Sequence, residues 1–219
     1  MDAAGLIRIF RQRADDTAEP YLWQDVDLFA WATEAEREAC VRARLIWDET
    51  SAFLTLPLVP GQVVYAIDQR IDHIERVAVT LDAGGRPRDL CLIGIDRIHE
   101  STDWAPGVGR PDFAARVRNS LHLWPAPNQT GTFSIACYRH PLAAMEVDSD
   151  EPEIAEEHHE SLVDWMLYRA YSTKDSEAED QQRAAQALAR FTGNFGERNS
   201  ANVIRKHRER RRVTTRMAF

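Results

Sequence analysis

The sequence predicts an α+β protein in which the N- and C-terminal segments form a helical bundle, an antiparallel β domain is inserted between them, and a basic tail ends the chain. Three observations carry this prediction: apolar residues recur at helical spacing towards both ends, at alternating spacing in the middle, and arginines crowd the last sixteen residues. The expected divisions are N-terminal helices over 1–50, the β insert over 51–150, C-terminal helices over 151–203 and a basic arm over 204–219.

Residues 3–14 (AAGLIRIFRQRA) place Leu6, Ile9, Phe10 and Arg13 on one helical face, and Asp15-Asp16-Thr17 through Pro20 end that helix. The segment Glu19-Pro20-Tyr21-Leu22-Trp23-Gln24-Asp25 leads into a longer one. Proline breaks a preceding helix and biases Glu19 toward extended backbone, the two aromatics supply apolar area, and Gln24-Asp25 can cap the next helix. Pro20, Tyr21, Trp23 and Asp25 are thus the expected anchor of a second helix from Asp25 to about Trp47, with Leu28, Ala32, Ala35, Ala39, Ala43 and Ile46 along one stripe. Small alanines permit close packing. Val26, Phe29 and Trp31 lie off that stripe, so a second face should meet a neighbour, another subunit being one candidate.

From Ser51 to about His140 the period becomes two, punctuated by Pro, Gly and Asp. Expected strands are Phe53–Leu58, Gln62–Ile67, His73–Leu81, Arg88–Ile93, Ala115–Val117, Ser120–Trp124 and Thr132–Arg139. Asp82-Ala83-Gly84-Gly85 suits a hairpin turn, Gly94 to Thr102 a short helix, and both Trp104–Pro111 and Pro125–Gly131 read as loops. After Pro141 and the acidic stretch Glu146–Glu153, helical spacing returns. Ile154, His158, Leu162, Trp165, Arg169 and Ser172 mark one side of a helix whose other side is also largely apolar, so burial on most sides is expected. Ser172 to Asp175 should cap a last helix lined by Ala178, Gln182, Ala185, Leu188, Phe191 and Phe195.

Composition narrows the function. A chain of 219 residues can bury about 70% of its unfolded surface, and 44% hydrophobic with 28% charged residues is a globular composition. No apolar run is longer than Leu28–Ala32, far short of the roughly 20 residues a bilayer needs, and MDAAGLIRIFRQRADD holds no signal-peptide core, so synthesis in the cytoplasm and no membrane association are expected. Cys40, Cys91 and Cys137 form no CxxC pair and read as small buried hydrophobes. Glu156-Glu157-His158-His159-Glu160 fails the HExxH spacing because position 163 is Val and position 162 Leu; solvated side chains on a capped helical start are expected there, with no metal and no other cofactor. Gly107-Val108-Gly109-Arg110-Pro111 lacks the third glycine of a dinucleotide loop, and neither a P-loop nor GxSxG occurs. No catalytic residue is expected and the chain reads as a non-enzyme. Net charge is −8, but Arg205, Lys206, Arg208, Arg210, Arg211, Arg212 and Arg216 against Glu209 give residues 204–219 a net +6, leaving −14 on residues 1–203. An acidic body with a basic end marks an interaction arm.

Four segments, PYLWQDVDLFAWATEAEREACVRARLIWD (20–48), VVYAIDQRIDHIERV (63–77), LHLWPAPNQTGTFSIACYRHP (121–141) and EIAEEHHESLVDWMLYRAYSTKDSE (153–177), resemble the head-to-tail adaptor, or connector, proteins of tailed bacteriophages, in order and over nearly the whole chain. The resemblance implies a structural virion protein of the neck, made in the host cytoplasm and assembled as a dodecameric ring beneath the portal, where it continues and seals the DNA channel toward the tail. Its implied partners are the portal protein, further copies of itself, a downstream tail or tail-nozzle protein, and genomic DNA passing without sequence-specific contact. On this reading the arm, Arg205, Lys206, Arg208, Arg210, Arg211, Arg212, Arg216, Met217 and Phe219, grips the portal, its guanidiniums meeting carboxylates and its last apolar residues a pocket. Asp148, Asp150, Glu151 and Glu153 are candidate lumen carboxylates that would repel phosphate, or else a solvated acidic loop. The alternatives are a tail-terminator or tail-tube-like ring protein, and a nonspecific DNA-binding protein acting through RKHRERRR at 205–212, which the body's −14 opposes.

Overall fold

The computed structural model describes residues 1–82, 86–95, 107–173 and 180–198. The chain is α+β, and its described residues form two compact units, Met1–Ile46 with Arg139–Arg198, and Trp47–Tyr138.

Among its described residues the first unit holds four helices, α1 (Ala3–Ala14), α2 (Asp25–Ala43), α3 (His159–Tyr171) and α4 (Gln181–Phe195). They share one apolar core in which Leu6, Phe10, Leu28, Leu162 and Phe191 are fully buried. Six helix boundaries, caps and faces differ from expectation. The buried face of α1 is Ala3, Leu6, Ile7, Phe10, Arg11 and Ala14, because the i, i+3, i+4 set containing both Ile7 and Phe10 covers more apolar area than one built on Ile9 and Arg13. Helix α2 stops at Ala43 rather than near Trp47: Arg44 turns left-handed at φ 53° and its N–H donates to Cys40 O. Neither Gln24 nor Asp25 caps α2 through its side chain. Helix α3 begins at His159, after a 3-10 turn over Glu156–His158, and α4 is capped by Asp180, which accepts from Arg183 N; Ala184, Ala187, Phe191 and Phe195 are its buried residues, while Gln182 and Ala185 are exposed. The capping residue is Asp180 because its carboxylate reaches a first-turn N–H, whereas Ser172 and Thr173 still bond back to the end of α3.

Among its described residues the second unit contains eleven strands: β1 (Trp47–Asp48), β2 (Thr55–Leu58), β3 (Val64–Ala66), β4 (Ile71–Leu81), β5 (Arg88–Asp89), β6 (Cys91–Leu92), β7 (Val108–Gly109), β8 (Phe113–Val117), β9 (Ser120–Trp124), β10 (Ala126–Pro127) and β11 (Gly131–Arg139). One sheet has the order β1-β11-β4-β5 with β2 also on β11, and another β3-β9-β8-β6. The pairs β1–β11, β2–β11, β3–β9, β4–β5 and β8–β9 are antiparallel, and β6–β8 and β7–β10 are parallel. The β7–β10 pair corrects two expected loops: Ala126 N donates to Gly107 O and Asn128 N to Gly109 O, which satisfies backbone that would otherwise need water. Phe53 and Leu54, expected to begin a strand, belong to a 3-10 turn over Ala52–Leu54. Leu54, Leu58, Ile71, Leu121, Leu123, Phe133 and Ile135 make the unit's own core, with Tyr65 edge-on to Phe133 at 4.9 Å. Gly131 is required there, since a Cβ on it would lie 2.2 Å from Thr80 O. The expected turn residues 83–85, most of the 94–102 helix and part of the 104–111 loop lie outside the described residues.

Candidate functional site

The residues expected to anchor α2 gather around a cation that hydrophobic spacing does not single out. Arg11, 8% exposed, donates from Nη1 to Asp16 Oδ2 at 2.6 Å and from Nη2 to Asp25 Oδ1 at 2.6 Å and Trp23 O at 3.2 Å. Its guanidinium lies 3.7 Å from the centre of the Tyr21 ring. Asp16 is as buried as Arg11, and its other oxygen accepts from Leu22 N at 2.8 Å. Trp23 is buried edge-on to Phe10 at 5.4 Å and to Tyr171 at 6.1 Å, and Pro20 comes after a cis peptide bond. Asp25 therefore serves as a partner of Arg11, because a buried guanidinium needs two carboxylates more than an exposed helix start needs a cap. An open cleft of about 380 Å³ borders this network, with Ala4, Arg8, Gln12, Tyr21 and Asp148 in its walls.

Three more buried polar groups tie distant parts of the helical unit. Glu36, on α2, accepts from the N–H groups of Glu153 and Ile154, and burial pushes its carboxyl above the ordinary 4.5. Asp164, on α3, meets Arg190 at 2.7 Å and Arg13 at 3.9 Å. Arg42, at the end of α2, donates to Glu38 at 2.9 Å, Thr192 at 3.0 Å and Gly196 O at 3.2 Å, and Glu38 also meets Arg198 at 3.3 Å. His159 is buried, contrary to the solvated start expected for 156–160: its ring nitrogens lie 2.9 Å from Ile154 O and 3.0 Å from Met1 O. With one N–H on the neutral ring, Nε2 can donate to Ile154 O while Nδ1 accepts from the Met1 amine 3.2 Å away, and these bonds hold the residue inside.

The four candidate lumen carboxylates have different surroundings. Glu153 is held by both arms of Arg139 and by Leu142 N, whereas Asp150 accepts from Glu146 N and Val147 N, bonds that hold its carboxyl below the ordinary 3.8. Asp148 and Glu151 are exposed. All nine arm residues, Arg205 to Phe219, lie outside the described residues. Among the described residues no three or more His, Cys, Asp or Glu are grouped to hold a metal ion, and no helix is long and apolar enough to cross a membrane. The three cysteines form no disulfide, with Cys40 and Cys137 buried and Cys91 half-buried.

Each buried charge described in the helical unit meets a carboxylate, a guanidinium or a backbone group within that unit, which is joined in sequence to a strand-rich one. The chain belongs to the SU10 adaptor protein family, which it matches over residues 1–218 and which is a family of bacteriophage adaptor proteins. No curated protein matches it.

Proposed function

We propose that the chain is the head-to-tail adaptor of a tailed phage: a ring, expected to be dodecameric, that docks on the portal, connects it to the tail and continues and seals the DNA channel. The observation that carries this reading is the family match over essentially the entire chain. The helical unit acts as a bundle that supplies subunit contacts and part of the channel wall. Its buried ion pairs suit that task, since they hold one arrangement of helices against the load of packaged DNA. Residues 205–219 grip the portal, with Arg205, Lys206, Arg208, Arg210, Arg211, Arg212 and Arg216 pairing with carboxylates and Met217 and Phe219 entering an apolar pocket. Exposed Asp148 and Glu151 face passing DNA and repel it.

Deleting residues 205–219 tests the grip. The truncated chain should keep the thermal transition of the full chain and lose binding to purified portal protein. Portal binding at full affinity by the truncated chain contradicts the assignment.

A further inference from the structure

The outer edge of β3 carries hydrogen-bonding groups that nothing among the described residues pairs with. Leu123 N donates to Val63 O and Ile67 N to Asn119 O, so residues 63, 65 and 67 face β9. Val64 and Ala66 consequently turn their N–H and C=O groups away from the sheet. Of these, Val64 O is taken by the Gln62 side chain at 2.9 Å. Val64 N–H, Ala66 N–H and Ala66 O remain along the edge, and the Val64 and Ala66 side chains are exposed. Natural edge strands are guarded by shortness, charge, proline or a bulge; β3, at three residues, has only the first of these.

Charge is absent from the whole border. In a chain 28% charged, residues 50–67 and 119–138 contain no Asp, Glu, Lys or Arg, and these two runs pair with each other through β3–β9 and β2–β11. Of the four exposed large hydrophobics among the unit's described residues, three lie here: Val59, bonded to Tyr65 Oη; Val64 on β3; and Val108, opposite Ala126 and beside the Pro127 carbonyl that accepts from Gly61 N.

We infer that this edge receives an added β-strand, an extended and uncharged segment of a different protein. Backbone donors and acceptors specify a strand as the occupant, and the exposed valines specify apolar side chains on it. Charge removes the chain's own basic arm, whose net +6 would find no carboxylate along the edge. A folded second copy could offer its own β3 edge only in an isologous pair, which does not build a closed ring of more than two. The inference rests on the adaptor reading, in which the next protein toward the tail supplies the strand.

The test uses phage carrying Val64→Pro with Ala66→Pro. Proline removes the two outward N–H donors while residues 63, 65 and 67 keep their bonds to β9. Val64→Lys is the companion variant, adding charge without touching the backbone. Heads should carry portal and adaptor as in wild type, with tailed particles reduced roughly tenfold or more by electron microscopy, the effect of losing two backbone bonds. Hydrogen exchange at the Val64 and Ala66 amides should be fast in the isolated protein and slowed in tailed wild-type particles. Full tailing by both variants overturns the inference while leaving the adaptor reading standing; heads lacking wild-type adaptor overturn that reading instead. Slow exchange in the isolated chain that deletion of 199–219 abolishes, or a wild-type dimer that the proline variant dissociates, also overturns it, by naming the arm or a second copy as occupant.

Discussion

The helical unit and the strand unit of this chain reach stability by opposite chemistry. Of the nine buried polar or charged residues described, eight (Arg11, Asp16, Thr33, Glu36, Glu38, Arg139, His159 and Asp164) belong to the helical unit, and only Asp48 to the strand unit. Asp48 there shapes a local turn, accepting from Thr50 N, Ser51 N and Ser51 Oγ. The strand unit instead pairs two uncharged runs edge to edge within its sheets, and ion pairs such as Arg76 with Asp89 lie exposed. A buried pair contributes little net stability but makes loss of one partner expensive, whereas an apolar sheet core is sensitive mainly to shape. The helical unit should therefore fail on charge, and the strand unit on volume.

The largest effect that would break this contrast is expected at Arg11. Arg11→Ala strands Asp16 without its cation inside the protein, and thermal or urea unfolding should register a loss of about 3–5 kcal/mol in the helical unit. A loss below about 1 kcal/mol would mean that the network is ornamental. Next comes Gly131→Ala, which forces a methyl group against the Thr80 carbonyl and should destabilise the strand unit by about 1–3 kcal/mol while leaving the helical transition in place. Equal loss in both units would show that they do not fold as separate cores.

The smallest expected effect sharpens the comparison through pH. Because Glu36 has its carboxyl raised above 4.5, it binds its proton more tightly in the folded state than in the unfolded one. Its contribution is full below pH 4.5 and is lost as pH rises through the folded value. Glu36→Gln keeps an oxygen acceptor for Glu153 N and Ile154 N but does not ionise. Comparing melting temperatures at about pH 4 and about pH 8 should show the variant gaining on wild type as pH rises. A constant difference across that range would remove Glu36 from the account.

The contrast also explains what was legible in the sequence. Helices α1 and α2 could be read because Leu6, Phe10, Leu28, Ala32, Ala35 and Ala39 keep a 3.6 period, and β9 and β11 because Leu121, Leu123, Phe133 and Ile135 alternate. Hydrophobic spacing sees apolar burial alone. It passes over Arg11, Asp16, Glu36 and Arg42, whose burial depends on partners 4 to 154 residues away. It also places His159 in solvent, since nothing local reveals that Ile154 O and Met1 O wait for its ring. The pairs β6–β8 and β7–β10 escape it for a related reason: two-residue strands have no period to detect. For α1, one charged side chain at an apolar spacing, Arg11 four residues after Ile7, was the available signal for the network.

Function is carried by the family match, and its central claim is geometric, so the most direct measurement is an image. Purified full-length protein mixed with its portal protein and examined by cryo-electron microscopy should give a ring of this chain stacked on the portal's narrow end. The absence of any complex, or a complex in which the chain lies elsewhere than on the portal's axis, would contradict the account.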